Sequence, residues 1–297
     1  MESWTIQLLA DLRAAGYRPS AWLRFFKEAW HRARATGRDH TALVESWRIL
    51  SLVVIAGTAG PVALTWRRHG SRPARRFAGL VLAGVVLQQA DAYVHLGLNR
   101  RLRDGVLLPV IGPATWLSYT RGTIAYWLLA AIISGINLPG LAPTAVVVGA
   151  LTDALDGPLA RCFAQETKLG AYADGQADLI LAIALTQAGA RYGTLTAGAR
   201  WLPAVRYALP IGVAVSYSFS GGRLPALEHT LAGRLSGVVQ TGLLGCALAP
   251  SPFRLPVGAR RLQVGIAAAL SAASGITQSL RILRAGHAEL RGLSDGR

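Results

Sequence analysis

The chain has 297 residues and a formal net charge of +16, and 52% of its residues are hydrophobic while only 15% are charged. A soluble domain of this size carries a more charged surface, so the composition excludes an ordinary soluble enzyme and points to a membrane protein. Only Lys27 and Lys168 are lysines; the excess charge is therefore arginine, which reads as loops facing anionic membrane lipid, with no nucleic-acid partner expected.

Residues 1–45 are polar and basic. Between Ser20 and Arg34, Trp22, Phe26 and Trp30 recur every four residues with Arg24, Lys27, His31 and Arg34 among them. That pattern predicts an amphipathic helix lying along a membrane surface. Crossing a bilayer takes about 20 apolar residues, and the first two spans are expected at 49–66 and 77–98. Gln88, Gln89, Asp91 and His95 interrupt the second; they either face protein or an aqueous cleft, or mark a segment that is partly interfacial. Six further spans are expected at 118–136, 142–161, 170–188, 201–219, 229–249 and 260–282.

The charged stretch Asn99 to Gly105, ending in Asp-Gly, is the best boundary. It divides an N-terminal helical module, residues 1–105, from a membrane core at 106–285 and a polar tail at 286–297. The fold class is all-α and polytopic. Cys162 and Cys246 are far apart and suggest neither a disulfide nor a zinc site. No cleavable signal peptide is visible.

Basic residues in short loops set orientation. Arg161, Lys168, Arg223, Arg281, Arg284 and Arg291 fall on one side if the six core helices alternate, which makes that side cytoplasmic. Arg254, Arg260 and Arg261 run against this, as do Arg67, Arg68, Arg72, Arg75 and Arg76 if both N-terminal segments span.

The chemistry concentrates in residues 153–178. Asp153 and Asp156 are three apart, and Asp174 and Asp178 are four apart, so each pair shares one face of a helix. Two antiparallel helices joined by Arg161 to Leu169 would bring the four carboxylates together on hard divalent ions, which prefer oxygen ligands. Gly157, Gly170 and Ala160 leave room for a bulky ligand, and Arg161 adds a forked donor suited to phosphate.

Written as D-x-x-D-G-x-x-A-R, eight residues, then G-x-x-x-D-x-x-x-D, this stretch resembles the signature of the CDP-alcohol phosphotransferases. The resemblance covers roughly residues 115–285 and implies a six-helix membrane core, commonly homodimeric, in a bacterial cell membrane with its active site facing the cytoplasm. It implies transfer of a substituted phosphate from CDP-diacylglycerol or another CDP-alcohol to a hydroxyl acceptor, with release of CMP. By the same resemblance Asp153, Asp156, Asp174 and Asp178 hold two Mg2+ or Mn2+ ions. Asp178 doubles as the catalytic base, and Gly157, Ala160, Arg161 and Gly170 line the nucleotide site.

Thr120 and Arg121 resemble the short Thr-x-x-Arg or Thr-Arg stretch at the start of the family's first core helix, where a basic residue is usually an interfacial anchor. Gly233, Arg234 and Gln240 resemble the fifth-helix pattern G-K-x-K-T-x-x-Q of phosphatidylglycerophosphate synthases, with Ser236 and Gly237 in place of its second lysine and its threonine. Arg223, Arg234 and Arg281 are the expected ligands of a phosphorylated polyol acceptor. The alternatives are an unphosphorylated alcohol or lipid acceptor, a divalent-cation transporter, and a silent membrane scaffold.

Overall fold

A computed structural model describes residues 2–138, 140–221, 231–248 and 256–294. They are mostly helical: α1 Glu2–Ala14, α2 Pro19–Asp39, α3 Thr41–Gly57, α4 Ala59–His69, α5 Ser71–Val94, α6 Pro113–Ile133, α7 Leu141–Cys162, α8 Lys168–Arg191, α9 Leu209–Gly221, α10 Leu231–Leu248 and α11 Val257–Ser294. The helices pack as two compact units. One holds α1, the start of α2, α9, α10 as far as Leu243, and α11; the other holds α2 from Trp30, then α3 to α8, and the end of α10.

All six expected core segments are helices, with shifted limits. The first begins at Pro113, not 118, because Gly112 is extended and Pro113 occupies the first turn, where its missing N–H costs nothing. The fourth is broken before α9 by a 3-10 turn at Ala197–Trp201 and a π turn at Ala204–Ala208. Pro210 explains the π turn, since it cannot donate to the carbonyl of Arg206 four residues back. The last continues as helix to Ser294, through a stretch rich in good helix formers.

The first N-terminal segment is helical from Thr41 to His69 with a one-residue interruption at Thr58. Pro61 accounts for the interruption, because it has no N–H to bond the carbonyl of Gly57; the Thr58 hydroxyl donates to the carbonyl of Ile55 at 2.6 Å. Gly70, with φ of 82°, then turns the chain so that α5 packs back on α4 and α3. Thr41–His69, Ser71–Val94 and Val257–Arg284 are long and apolar enough to cross a membrane. Helices α6, α7 and α8, of 21, 22 and 24 residues, carry Arg121 or the aspartates.

In the second unit, α5 presents Phe77, Val81, Val85 and Ala92 as a helical stripe to Leu43, Leu50 and Val54 of α3, and all are buried. The polar residues of α5 face protein. The Gln88 amide donates to the carbonyl of Tyr119 and accepts from Thr123 Oγ1, at 3.3 and 3.2 Å. Gln89 accepts from Ser51 Oγ through its side chain at 2.9 Å and from Trp47 Nε1 through its carbonyl at 3.0 Å. Asp91 Oδ1 accepts from Tyr172 of α8 at 3.0 Å and lies 3.2 Å from His95 Nδ1.

Small residues set the helix spacing, as is usual where lipid removes the hydrophobic drive for association. A Cβ on Gly84 would lie 2.4 Å from Tyr126 Cδ1, and one on Gly149 would lie 2.5 Å from Leu181 Cδ2. Gly84→Ala should therefore cost ~1–3 kcal/mol, the usual penalty for overpacking. Thermal unfolding in detergent would measure it; an unchanged midpoint would show that α5 and α6 are not closely packed.

Candidate active site

The site is built where α7 ends and α8 begins, on the surface of α6. Helix α7 closes at Cys162, and Ala164 adopts a left-handed backbone with φ of 51° in the connection. Thr167 then caps α8, its hydroxyl accepting from the backbone N–H of Gly170 at 2.9 Å. The strap at 99–107 holds this connection from outside. Backbone N–H of Leu102 donates to the carbonyl of Glu166 at 2.8 Å, and that of Lys168 donates to the carbonyl of Arg100 at 3.0 Å. Both α7 and α8 pack more extensively on α6 than on one another.

That packing makes α6 the common partner of the two aspartate pairs. Arg121, in the middle of α6 and only 1% exposed, sends its guanidinium between them. Nη1 donates to Asp153 of α7 at 3.2 Å and to Asp178 of α8 at 2.7 Å. Nη2 donates to Asp156 of α7 at 2.8 Å and to Asp174 of α8 at 2.5 Å. Each nitrogen thus joins one aspartate from each helix, and the pairing of 153 with 178 and 156 with 174 is that of antiparallel neighbours. Arg121 is accordingly no interfacial anchor at a helix start: its helix begins two turns earlier, and its partners are the four carboxylates. Thr120, beside it, is exposed and donates to the carbonyl of Trp116 at 2.9 Å.

Carboxylate oxygens of Asp153, Asp156 and Asp174 lie within 4.8 Å of one another, a group that does not include Asp178. Opposite ligands of one Mg2+ ion are about 4.2 Å apart, so small movements would close these three on an ion. An all-oxygen donor set suits a hard divalent cation. Four carboxylates facing one guanidinium also leave a net negative charge to attract it. The donor chemistry and spacing therefore fit Mg2+ or Mn2+.

A cleft of about 170 Å3 opens beside Asp156 and Asp174. Gly157, Ala160 and Gly170 line it, together with Thr115 and Ser118 of α6, Leu102 of the strap and Gln165 to Thr167 of the connection. A Cβ on Gly170 would lie 3.0 Å from Thr115 Oγ1 and 3.2 Å from Thr167 Oγ1, so the absent side chain keeps this wall open. Arg161 is exposed and is not among the lining residues; its guanidinium lies alongside Gly157, 3.3 Å from where a Cβ would be.

The expected acceptor arginines are less defined. Arg223 and the side chain of Arg234 lie outside the described residues, and Arg281 is exposed on α11. Gln240 is buried and accepts from Arg206 Nη1 at 3.3 Å. Gly237 gives that arginine its space, because a Cβ there would lie 3.0 Å from Arg206 Nη2. Ser236 is buried with its hydroxyl 3.3 Å from that of Ser271. The glycine and serine that interrupt the fifth-helix pattern thus have local packing partners.

A carboxylate cluster bound to a buried arginine lies at the rim of a cleft, on helices of 21 to 24 residues, an arrangement that can hold a divalent cation. Residues 113–276, from the first residue of α6 onward, match the family model for CDP-alcohol phosphatidyltransferase, and the chain belongs to that family. No curated protein and no solved structure matches the chain. Membership makes it a transferase of substituted phosphate groups, one that takes a CDP-alcohol donor and a hydroxyl acceptor in phospholipid synthesis. Divalent-metal dependence is typical of the family.

The Thr167 cap aligns the turn of α8 that leads to Asp174. Thr167→Val should lower stability by about 1 kcal/mol, while Thr167→Ser should retain it. Equal melting temperatures for the valine and serine variants in detergent would contradict the cap.

Proposed function

We propose that this enzyme transfers the phosphatidyl group of CDP-diacylglycerol, or a similar CDP-alcohol, to a phosphorylated polyol. The observation that carries this reading is the convergence of Asp153, Asp156, Asp174 and Asp178 at the mouth of a cleft walled by Gly157, Ala160 and Gly170. Asp153, Asp156 and Asp174 would hold one or two Mg2+ or Mn2+ ions, with Asp178 beside the second, and their charge offsets that on the diphosphate and on departing CMP. The cleft takes the CDP portion, with Arg161, beside Gly157, donating hydrogen bonds to its phosphate.

Asp178 stands outside the trio of mutually close oxygens, which suits a base. It removes the proton of the acceptor hydroxyl as that oxygen attacks the phosphorus bearing the lipid. The new P–O bond forms as the bond to CMP breaks, and CMP leaves with the electron pair. No covalent enzyme intermediate is needed.

Arg223, Arg234 and Arg281 remain the proposed ligands for an acceptor phosphate. The proposed division keeps residues 1–105 as an accessory module and 106–285 as the catalytic core, followed by the tail; the start of the family match at 113 supports it. Arg161 and Lys168 at the α7–α8 connection, against an uncharged stretch at 134–140, support a cytoplasmic active site in a bacterial cell membrane. A homodimer is the proposed assembly, by analogy with the family.

The test is CMP release by purified protein with CDP-diacylglycerol and Mg2+ against glycerol 3-phosphate, inositol 1-phosphate, inositol, serine and phosphatidylglycerol. One phosphorylated polyol should support release. Release with serine, inositol or phosphatidylglycerol alone would replace the phosphorylated acceptor by an unphosphorylated alcohol or a lipid. Asp178→Asn should bind CDP-diacylglycerol normally while turnover falls by about 10²–10⁴-fold, the range for losing a general base. Asp153→Asn should also raise the metal concentration needed. Full turnover in Asp178→Asn would remove the proposed base.

A further inference from the structure

We infer that Arg121 is the positioning residue of the metal site: it sets the register of α7 against α8 and orients Asp153, Asp156 and Asp174 for the ion. This rests on the metal reading above and adds a role to a residue outside the aspartate motif.

Three observations carry it. First, the two Nη atoms of one planar guanidinium each bridge the two helices, at 3.2 and 2.7 Å through Nη1 and at 2.8 and 2.5 Å through Nη2. A fork with fixed geometry can make two such bridges at once, whereas a lysine nitrogen is a single point. Second, Arg121 uses one named oxygen of each carboxylate, namely Oδ1 of Asp153, Oδ2 of Asp156, Oδ1 of Asp174 and Oδ1 of Asp178. At Asp153, Asp156 and Asp174, the three whose oxygens cluster, Arg121 therefore uses one oxygen and not the other.

Third, the exposure is graded across the cluster. The Arg121 side chain is 1% exposed, but those of Asp153, Asp174, Asp178 and Asp156 are 63%, 40%, 38% and 17% exposed. The arginine therefore lies beneath the carboxylates, and a divalent ion reaches them from the opposite, open side. Hydrogen-bonded partners of this kind fix ligand orientation, and losing one typically weakens metal binding 10–100-fold. Arg121 also reduces the repulsion among four like charges that must stay close together. Ser118, three residues before it on α6, and Thr115, six before, line the cleft, so the same helix face shapes both the ligand set and the donor cleft.

The test measures Mn2+ affinity by paramagnetic resonance in detergent for wild type, Arg121→Met and Arg121→Lys, after checking each for a monodisperse, folded particle. Wild type should bind Mn2+. Arg121→Met should bind it about 10–100-fold more weakly, and Arg121→Lys, which keeps the charge without the fork, should also bind more weakly than wild type. If the methionine variant does not fold, the lysine variant decides. Wild-type or tighter affinity in whichever variants fold would overturn the inference, and tighter binding would make the guanidinium a competitor of the ion. Absence of Mn2+ binding by wild type itself would instead defeat the metal reading.

Discussion

The structure depends on one buried cation held among four anions. Two helices that each bring a pair of aspartates cannot approach without a counter-charge, because like charges at close range in a low-dielectric bundle repel strongly. Arg121 supplies it from a third helix, and its side chain is almost fully buried. The extensive packing of α6 on α7 and α8 follows from this arrangement. So does the antiparallel pairing of Asp153 with Asp178 and Asp156 with Asp174.

The same helix connects the site to α5. Gln88 of α5 bonds to α6, while Asp91 reaches Tyr172 of α8, whose hydroxyl also accepts from Gln176 at 2.7 Å. Tyr172 and Gln176 alternate along α8 with Asp174 and Asp178, so α5 grips the helix that carries two of the four carboxylates. The polar residues that interrupt the second apolar segment are its contacts with the catalytic helices.

Much of this was legible in the residues themselves. The i,i+3 and i,i+4 spacing placed each aspartate pair on one helix face, and Gly157, Ala160 and Gly170 marked the open wall, because both follow from the fixed geometry of a helix. Arg121 was underestimated because its helix appeared to begin at Ser118; Pro113 after an extended Gly112 was the signal that it starts earlier. The contribution of Leu102 to the cleft was not legible, since it comes from a charged loop that pairs with the α7–α8 connection some sixty residues away in the chain. The π turn before α9 was signalled by Pro210 but required knowing which carbonyl it would free.

Family membership defines the reaction class. The central claim is that the convergent carboxylates of α7 and α8 are the metal centre. The most direct measurement is an anomalous difference map from crystals grown with Mn2+ and a CDP-linked donor, collected at the manganese edge. A strong peak among Asp153, Asp156 and Asp174, with Arg121 still bonded behind them, is the expected result. Manganese bound elsewhere, with those carboxylates making no contact to it, would contradict the account.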